Sequence, residues 1–141
     1  MDRQKLLYDW LIGMLGTQYR YGGRNRLEGL DCSQLVFEFL ISAGRLSHGD
    51  DGTAQGLFGR FYAHKYTSSP QFGDLAFYGK NVDQIGHVGI CMDDVLMVEA
   101  GGGDSTVKSL DQAVERSAMV RIRPIKYRKD FLGVVPMNLF E

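Results

Sequence analysis

Apolar side chains in the first third of the chain recur with the period of an α-helix. One stripe, spaced by one, three and four residues, predicts a first helix that Asp2 caps and Gly16 ends. A second helix is predicted from Cys32 to Ala43, closed by Gly44. Because this second helix is apolar on most of its sides, we expect it in the middle of the core. The first stripe consists of Leu6, Leu7, Trp10, Leu11, Met14 and Leu15.

The second half of the chain changes to short runs typical of strands. "DLAFYG", "HVGIC" and "VLMVEA" predict three consecutive strands, and the alternating "MVRIRPI" predicts a final, half-buried strand. Between these runs we expect a short helix around Thr53–Tyr62 and another that begins at the capping box of Ser109 and Gln112 and ends near Ser117. Helices followed by antiparallel strands predict an α+β fold, with the N-terminal helices packed on a central sheet in one domain, residues 1–141.

Composition narrows the classes of function. With 141 residues and 44% hydrophobic residues, the chain is long enough for a core without metal or disulfides. Its formal net charge of -1 gives no basic surface for nucleic acid. No run is long enough for a membrane span, and His48, His64 and His87 lack metal-site spacing, so we expect neither span nor metal.

The first residues, "MDRQKLLYDWLIGMLGTQ", do not resemble a signal peptide. Asp2 and Asp9 interrupt the segment, and its apolar run is short for the hydrophobic region of a signal peptide. We therefore expect synthesis in the cytoplasm, with later release by cell lysis, injection or a non-standard exporter.

Cys32 lies where a glycine-rich loop meets the predicted second helix. If Asp31 caps that helix, Cys32 occupies its first position, where free backbone amides and the helix dipole stabilise a thiolate. The thiolate is the reactive form of cysteine. The alternative is a buried structural cysteine, which is the commoner environment. A nucleophile also needs a base and a third group that orients the base.

His87 and Glu99 lie on consecutive predicted strands, twelve residues apart. A three-residue turn, Met92–Asp94, would place them directly opposite each other, with Cβ atoms about 5 Å apart. A two-residue turn would leave them on opposite faces and make Glu99 an exposed strand residue. Cys91 shares a face with His87 but lies about 13 Å along the strand. It is then too far for a disulfide to a Cys32 beside His87, and we expect a core thiol.

Four segments, in this order, resemble motifs of the NlpC/P60 family of cysteine peptidases, which have a minimal papain-like fold. They are "GTQYRYGG", "LDCSQLV", "FGDLAFY" and "GHVGICMDDVLMVEA". The resemblance runs from about Leu6 to Val107. Two positions depart from the family pattern: Gln34 replaces a glycine, and Glu99 stands where histidine, asparagine or glutamine is more usual.

The resemblance implies a role for each site residue and a substrate. Members of the family cleave stem peptides of peptidoglycan, commonly between D-γ-glutamate and diaminopimelate or lysine, without metal or organic cofactor, and some are amidases. Cys32 is then the nucleophile, His87 the general base and Glu99 the group that orients the imidazole. Tyr19 is implied to hold the substrate or the oxyanion. The substrate and oxyanion region comprises Tyr19, Ser33 and Asp31.

Three hypotheses about function follow. The first is a peptidoglycan endopeptidase, such as a phage lysin, a tail-associated wall hydrolase or an exported bacterial enzyme; the C-terminal part is similar to small phage and prophage members. The second is an acyltransferase or amidase that uses the same thiol. The third is a non-catalytic phage tail or assembly module, against which the joint presence of Cys32, His87 and Tyr19 argues. The oligomeric state is left open.

Overall fold

Three of the helices precede the strands of the main sheet in a computed structural model, which describes residues 2–25, 27–62, 65–104 and 106–140. The helices are α1 (Arg3–Gly13), α2 (Cys32–Ser42), α3 (Ala54–Phe61) and α4 (Leu110–Arg116). The strands are β1 (Arg24–Asn25), β2 (Gly29–Leu30), β3 (Leu75–Gly79), β4 (Ile85–Cys91), β5 (Leu96–Gly101), β6 (Met119–Pro124) and β7 (Phe131–Val135). The predicted α+β class is confirmed. His64, one of the three histidines noted above, lies outside the described residues.

A side-chain cap begins each of the four helices. The cap accepts a hydrogen bond from the backbone N–H three residues on, which satisfies an amide that has no partner within the helix. The predicted caps Asp2, Asp31 and Ser109 are confirmed, and Thr53 caps α3 in the same way. At the other end of α2, Gly44 adopts a φ of 78°, a left-handed conformation that glycine accepts readily.

The main sheet is antiparallel, with the strand order β6-β5-β4-β3-β7. The prediction that "MVRIRPI" forms the last strand is wrong, because β7 follows it and pairs with β3 at the opposite edge. Glycine at position 133 interrupts the apolar run of β7, and a Cβ there would lie 2.5 Å from the Tyr66 ring. This tight contact explains the glycine, which weakens the sequence pattern of a strand.

The two faces of the sheet are buried differently. The helices α2 and α3 pack against β4, and α2 also contacts β5, so the main core lies on this face. The predicted central position of α2 is confirmed, because Leu35, Phe39 and Leu40 are fully buried. On the other face, Tyr78 and Cys91 belong to a smaller apolar cluster. Ile125, the residue just after β6, is also part of it. Cys91 is buried and free, as predicted.

In the described part of the chain, no helix has both the length and the apolar character that crossing a membrane requires.

The apolar face of α1 offers a paired test of core packing. Leu11 is 0% exposed and Leu6, on the same helix, is 51% exposed. We expect Leu11→Ala to lower the free energy of unfolding by about 2–5 kcal/mol, because it removes buried methyl groups and leaves a cavity. Leu6→Ala should change it by less than about 0.5 kcal/mol. Urea unfolding followed by circular dichroism measures both, and equal losses would contradict this packing.

Candidate active site

Asp31 connects the glycine-rich loop to the start of α2. Its Oδ1 accepts hydrogen bonds from the Gln34 backbone N–H (2.9 Å) and the Ser33 hydroxyl (3.0 Å). Its Oδ2 accepts from the Gly22 backbone N–H (2.9 Å). Because both oxygens are already engaged within the chain, Asp31 fixes the position of Cys32, the first residue of the helix.

Ser33 and Gln34 follow the cysteine and face different surroundings. The Ser33 hydroxyl also lies 3.2 Å from the Gly52 carbonyl oxygen, which brings the loop before α3 to the start of α2. Gln34 is buried, and its Nε2 donates to Glu38 Oε1 within the same helix (3.1 Å). The glutamine that replaces the usual glycine therefore contacts its own helix rather than lining the cleft.

The register between β4 and β5 corrects one prediction. Ile90 pairs with Val98, so Glu99 lies opposite Gly89 and diagonally across from His87. The prediction that Glu99 lies directly opposite His87 is therefore wrong by two residues. The two side chains still share a face, since an even shift preserves the alternation of a strand.

The cause of the shift is the turn. It spans Asp93–Val95, one residue later than predicted, with the Met92 N–H donating to the Leu96 carbonyl (2.8 Å). Asp93 Oδ1 accepts from the N–H groups of Val95 and Leu96, both at 2.8 Å, and so stabilises the turn at this position. Side-chain turns of this type are a local preference of aspartate. Their exact position is not visible in an apolar pattern.

His87 lies between Cys32 and Glu99. Its Nε2 is 2.6 Å from Glu99 Oε1, and both side chains are buried, at 5% and 0% exposure. Cys32 lies close enough to the imidazole to raise the pKa of His87, and both residues line the same cleft. Since Nε2 contacts the carboxylate, Nδ1 is the nitrogen left for the sulfur. The three predicted catalytic side chains are therefore grouped around His87, as a nucleophile, a base and an orienting group must be.

Two further residues that the sequence analysis missed contact Glu99. Arg121 Nε donates to Glu99 Oε2 (2.9 Å), and the Tyr127 hydroxyl lies 2.8 and 2.9 Å from the two carboxylate oxygens. Arg121 pairs directly with Glu99 in the β5–β6 ladder. The alternation of "MVRIRPI" predicted the face of Arg121 but not its partner strand. Tyr127, in the segment between β6 and β7, belongs to no periodic pattern.

These contacts shift the pKa of both members of the histidine–glutamate pair. Burial by itself lowers the pKa of His87, but the hydrogen bonds and charges of Cys32 and Glu99 outweigh it and raise the value from 6.5 to about 9. Burial raises the pKa of Glu99, and the contacts with His87, Arg121 and Tyr127 overcome this and lower it from 4.5 to about 2. The site therefore favours an imidazolium next to a carboxylate at neutral pH.

Tyr19 packs against the other side of the site. Burial raises the pKa of its phenol well above the usual range, and the nearby Cys32 and Asp31 add to the effect. The hydroxyl therefore stays protonated and can donate a hydrogen bond. A Cβ at Gly103 would lie 2.4 Å from the Tyr19 ring. This glycine accommodates a side chain of the protein itself.

A cleft of about 530 Å³ opens above the sulfur and the imidazole. Five of the six predicted site residues line it, and the sixth, Glu99, lies behind His87. Arg128 also lines the cleft, although no motif or periodic pattern in the sequence indicates it. Among the described residues, no three histidine, cysteine, aspartate or glutamate side chains form a group that could hold a metal ion. The five lining residues are Tyr19, Asp31, Cys32, Ser33 and His87.

Comparison with protein families gives one match. The model of the NlpC/P60 family matches residues 16–124, which include Tyr19, Cys32, His87 and Glu99. No curated protein sequence gives a significant match to the chain.

Solved structures share the fold at low sequence identity. The NlpC/P60 domain of the peptidoglycan hydrolase SagA aligns with a TM-score of 0.65 at 19% identity, covering 95% of this chain and 98% of that one. The peptidoglycan hydrolase RipB from Mycobacterium tuberculosis aligns with a TM-score of 0.63 at 21% identity, covering 95% of this chain and 64% of RipB. At these identities the likeness shows the fold alone.

One similar structure is described as non-catalytic. RipD from Mycobacterium tuberculosis aligns with a TM-score of 0.67 at 14% identity, covering 97% of this chain and 98% of that one. It is described as a non-catalytic NlpC/P60 domain protein adapted to peptidoglycan binding. The fold by itself therefore does not establish catalysis, and the side chains in the cleft must be considered.

The pair of His87 and Glu99 predicts how stability depends on pH. The raised pKa of His87 stabilises the fold fully below pH 6.5, and this contribution is lost as the pH rises through about 9. The lowered pKa of Glu99 stabilises it above pH 4.5, and this is lost as the pH falls through about 2. Urea unfolding should therefore show a maximum between these limits. Glu99→Gln should flatten the curve of unfolding free energy against pH on both sides of the maximum, while the exposed control Glu115→Gln should not. Parallel curves for wild type and both variants would contradict the pairing of His87 with Glu99.

Proposed function

This chain belongs to the NlpC/P60 family, and we propose that it is a cysteine peptidase that hydrolyses stem peptides of peptidoglycan. Proteins of this family are generally peptidoglycan hydrolases, although some are non-catalytic. The observation that carries the proposal is that Cys32, at the start of α2, lines the same cleft as His87, whose imidazole Glu99 holds from behind. A protein that only binds peptidoglycan requires no such arrangement.

The first half of the reaction forms an acyl-enzyme. The Cys32 thiolate attacks the carbonyl carbon of the scissile amide, and the carbonyl oxygen becomes an oxyanion. Backbone N–H groups at the start of α2 and the Tyr19 hydroxyl are the donors available to this oxyanion. The His87 imidazolium gives its Nδ1 proton to the amide nitrogen, the C–N bond breaks, and the amine leaves. A thioester on Cys32 remains.

Water completes the cycle. Neutral His87 removes a proton from a water molecule, and the resulting hydroxide attacks the thioester carbonyl. The C–S bond breaks, the acid product leaves, and the thiolate and the imidazolium are restored. Throughout the cycle Glu99 keeps its hydrogen bond to Nε2 and so holds the tautomer that presents Nδ1 to the sulfur.

We further propose the bond between D-γ-glutamate and the following diamino acid as the site of cleavage, which is the bond that the family resemblance implies. The enzyme would act on the wall as a phage lysin, as a tail-associated hydrolase or after export from a bacterium. The cleft above Cys32 supports a peptide substrate, because its lining combines the polar side chains of Ser33 and Arg128 with the apolar side chain of Ile85.

The cleavage proposal predicts opposite results for the two cysteines. Cys32→Ala should reduce the release of new amines from purified peptidoglycan fragments at least about a thousandfold, because alanine has no side-chain atom that can form the acyl-enzyme. Cys91→Ala, at the buried thiol outside the cleft, should retain hydrolysis. Mass spectrometry of the fragments identifies both the loss and the bond that is cleaved.

Other results of this assay would count against the proposal. Equal cleavage by wild type and Cys32→Ala would exclude Cys32 as the nucleophile. If the wild-type protein is folded but cleaves none of the fragments, the result would favour a module that only binds peptidoglycan. Transfer of the acyl group to added hydroxylamine in place of release to water would indicate an acyltransferase.

Tyr19 should affect the chemical step more than binding. Tyr19→Phe removes one oxyanion donor, and we expect kcat to fall about a hundredfold with little change in KM. Tyr8→Phe is a matched control, because Tyr8 lies on α1 against Phe72, outside the cleft. Steady-state kinetics on a stem peptide measure both variants, and an unchanged kcat for Tyr19→Phe would remove its hydroxyl from the mechanism.

A further inference from the structure

The carboxylate of Glu99 has partners on three sides. It is completely buried, and its oxygens contact His87 on β4, Arg121 on β6 and the Tyr127 hydroxyl in the segment after β6. His87 and Arg121 contact different oxygens of the same carboxylate, at 2.6 and 2.9 Å. Glu99 is thus shared between an imidazole, which can gain or lose a proton, and a guanidinium that stays charged.

An unshared carboxylate in this place would affect His87 strongly. Charge interactions are larger in a buried site than in water, so a full negative charge in contact with an imidazole strongly favours the protonated ring. Such a ring gives up its proton reluctantly, whereas the proposed reaction requires His87 both to donate and to accept a proton. Arg121 offsets the charge of Glu99 through the oxygen that His87 does not contact.

We propose that Arg121 is a positioning residue that sets the proton affinity of His87 by neutralising Glu99, while Tyr127 holds the carboxylate in the plane that serves both partners. The proposal deepens, and rests on, the proposed peptidase function, in which His87 moves the proton. Arg121 acts only through Glu99 and does not line the cleft.

The backbone beside the pair supports this assignment. A Cβ at Gly101 would lie 2.2 Å from Glu99 Oε2 and 2.9 Å from Arg121 Nε. A Cβ at Gly102 would lie 3.2 Å from Arg121 Nη1, and Gly102 has a φ of 82°. The end of β5 and the residue after it therefore lack side chains where the carboxylate and the guanidinium meet. This space is an observation independent of the hydrogen bonds.

Other ionisable groups around His87 are already balanced. Arg128 lies 5.5 Å over the Tyr78 ring and binds Asp130 through two hydrogen bonds of 2.8 Å. Arg128 and Asp130 therefore form a second neutral pair. Burial raises the pKa of the Tyr78 phenol and keeps it protonated. A change at Arg121 alone should consequently unbalance the site. The groups that face His87 are Cys32 from α2, Tyr78 from β3, Glu99 from β5, and Arg128 and Asp130 from the segment between β6 and β7.

The experiment titrates the His87 ring by NMR in the full chain, in wild type, Arg121→Gln, Glu99→Gln and the double variant. Arg121→Gln leaves the carboxylate uncompensated and should raise the proton affinity of His87 about tenfold, while Glu99→Gln should lower it by a similar factor. The double variant carries neither the carboxylate nor the guanidinium. Its His87 should therefore have a pKa above that in Glu99→Gln and below that in Arg121→Gln. If Arg121 only supported the fold, its loss and the loss of Glu99 would not shift the proton affinity of His87 in opposite directions.

Two variants serve as controls. Arg121→Lys keeps the charge and should stay within about twofold of wild type, because the cation is retained although the Nε geometry is lost. Arg123→Gln removes an exposed arginine on the same strand, whose Nη1 contacts the Ile122 carbonyl, and should leave the titration unchanged. If Arg121→Gln alone does not fold, Glu99→Gln and the double variant still provide the comparison, since neither contains a buried unpaired carboxylate.

Specific results would overturn the proposal. One is an unchanged or lower proton affinity of His87 in Arg121→Gln. Another is a double variant in which His87 has the same proton affinity as in Glu99→Gln. A third is a shift in Arg123→Gln as large as that in Arg121→Gln. The titration needs no substrate. If the protein does not hydrolyse peptidoglycan but the His87 proton affinities of the variants follow the expected order, the role of Arg121 stands and the peptidase function does not. Hydrolysis by a protein without that order would overturn only the role of Arg121.

Discussion

The hydrogen bond between His87 and Glu99 is the interaction on which the rest of the site depends. It is short, at 2.6 Å, and buried on both sides, and it decides which ring nitrogen faces Cys32. Without it, the cysteine would still lie at the start of a helix, but the imidazole would have no fixed direction. The carboxylate can be buried here only because Arg121 and Tyr127 supply further donors.

The fold brings these groups together from distant parts of the chain. The apolar helix α2 is held in the core, and Asp31 ties its first turn to the glycine-rich loop. The sheet supplies His87, Glu99 and Arg121 from three neighbouring strands, on the face whose other residues form the smaller apolar cluster. Side chains on well-packed helices and strands keep a fixed geometry, which a catalytic site requires.

Local patterns predicted much of this structure, and long-range pairing explains what they missed. The helix caps at Asp2 and Asp31 were predictable because a cap depends on residues three positions apart. The alternation of the strands placed Glu99 on the same face as His87, but the register depended on the Asp93 turn. The partnership of Arg121 with Glu99 depends on the pairing of β5 with β6 across α4, which no short segment encodes. The strand β7 was missed for a similar reason, since its partner β3 lies more than fifty residues earlier.

The central claim is that His87 activates the sulfur of Cys32, and the rate of alkylation tests it most directly. Wild type and His87→Ala are treated with iodoacetamide at pH 7, and mass spectrometry of the peptides separates Cys32 from the buried Cys91. The account predicts rapid labelling of Cys32 in wild type, a rate at least about tenfold lower in His87→Ala, and little labelling of Cys91 in either protein. Equal rates at Cys32 in the two proteins would contradict it.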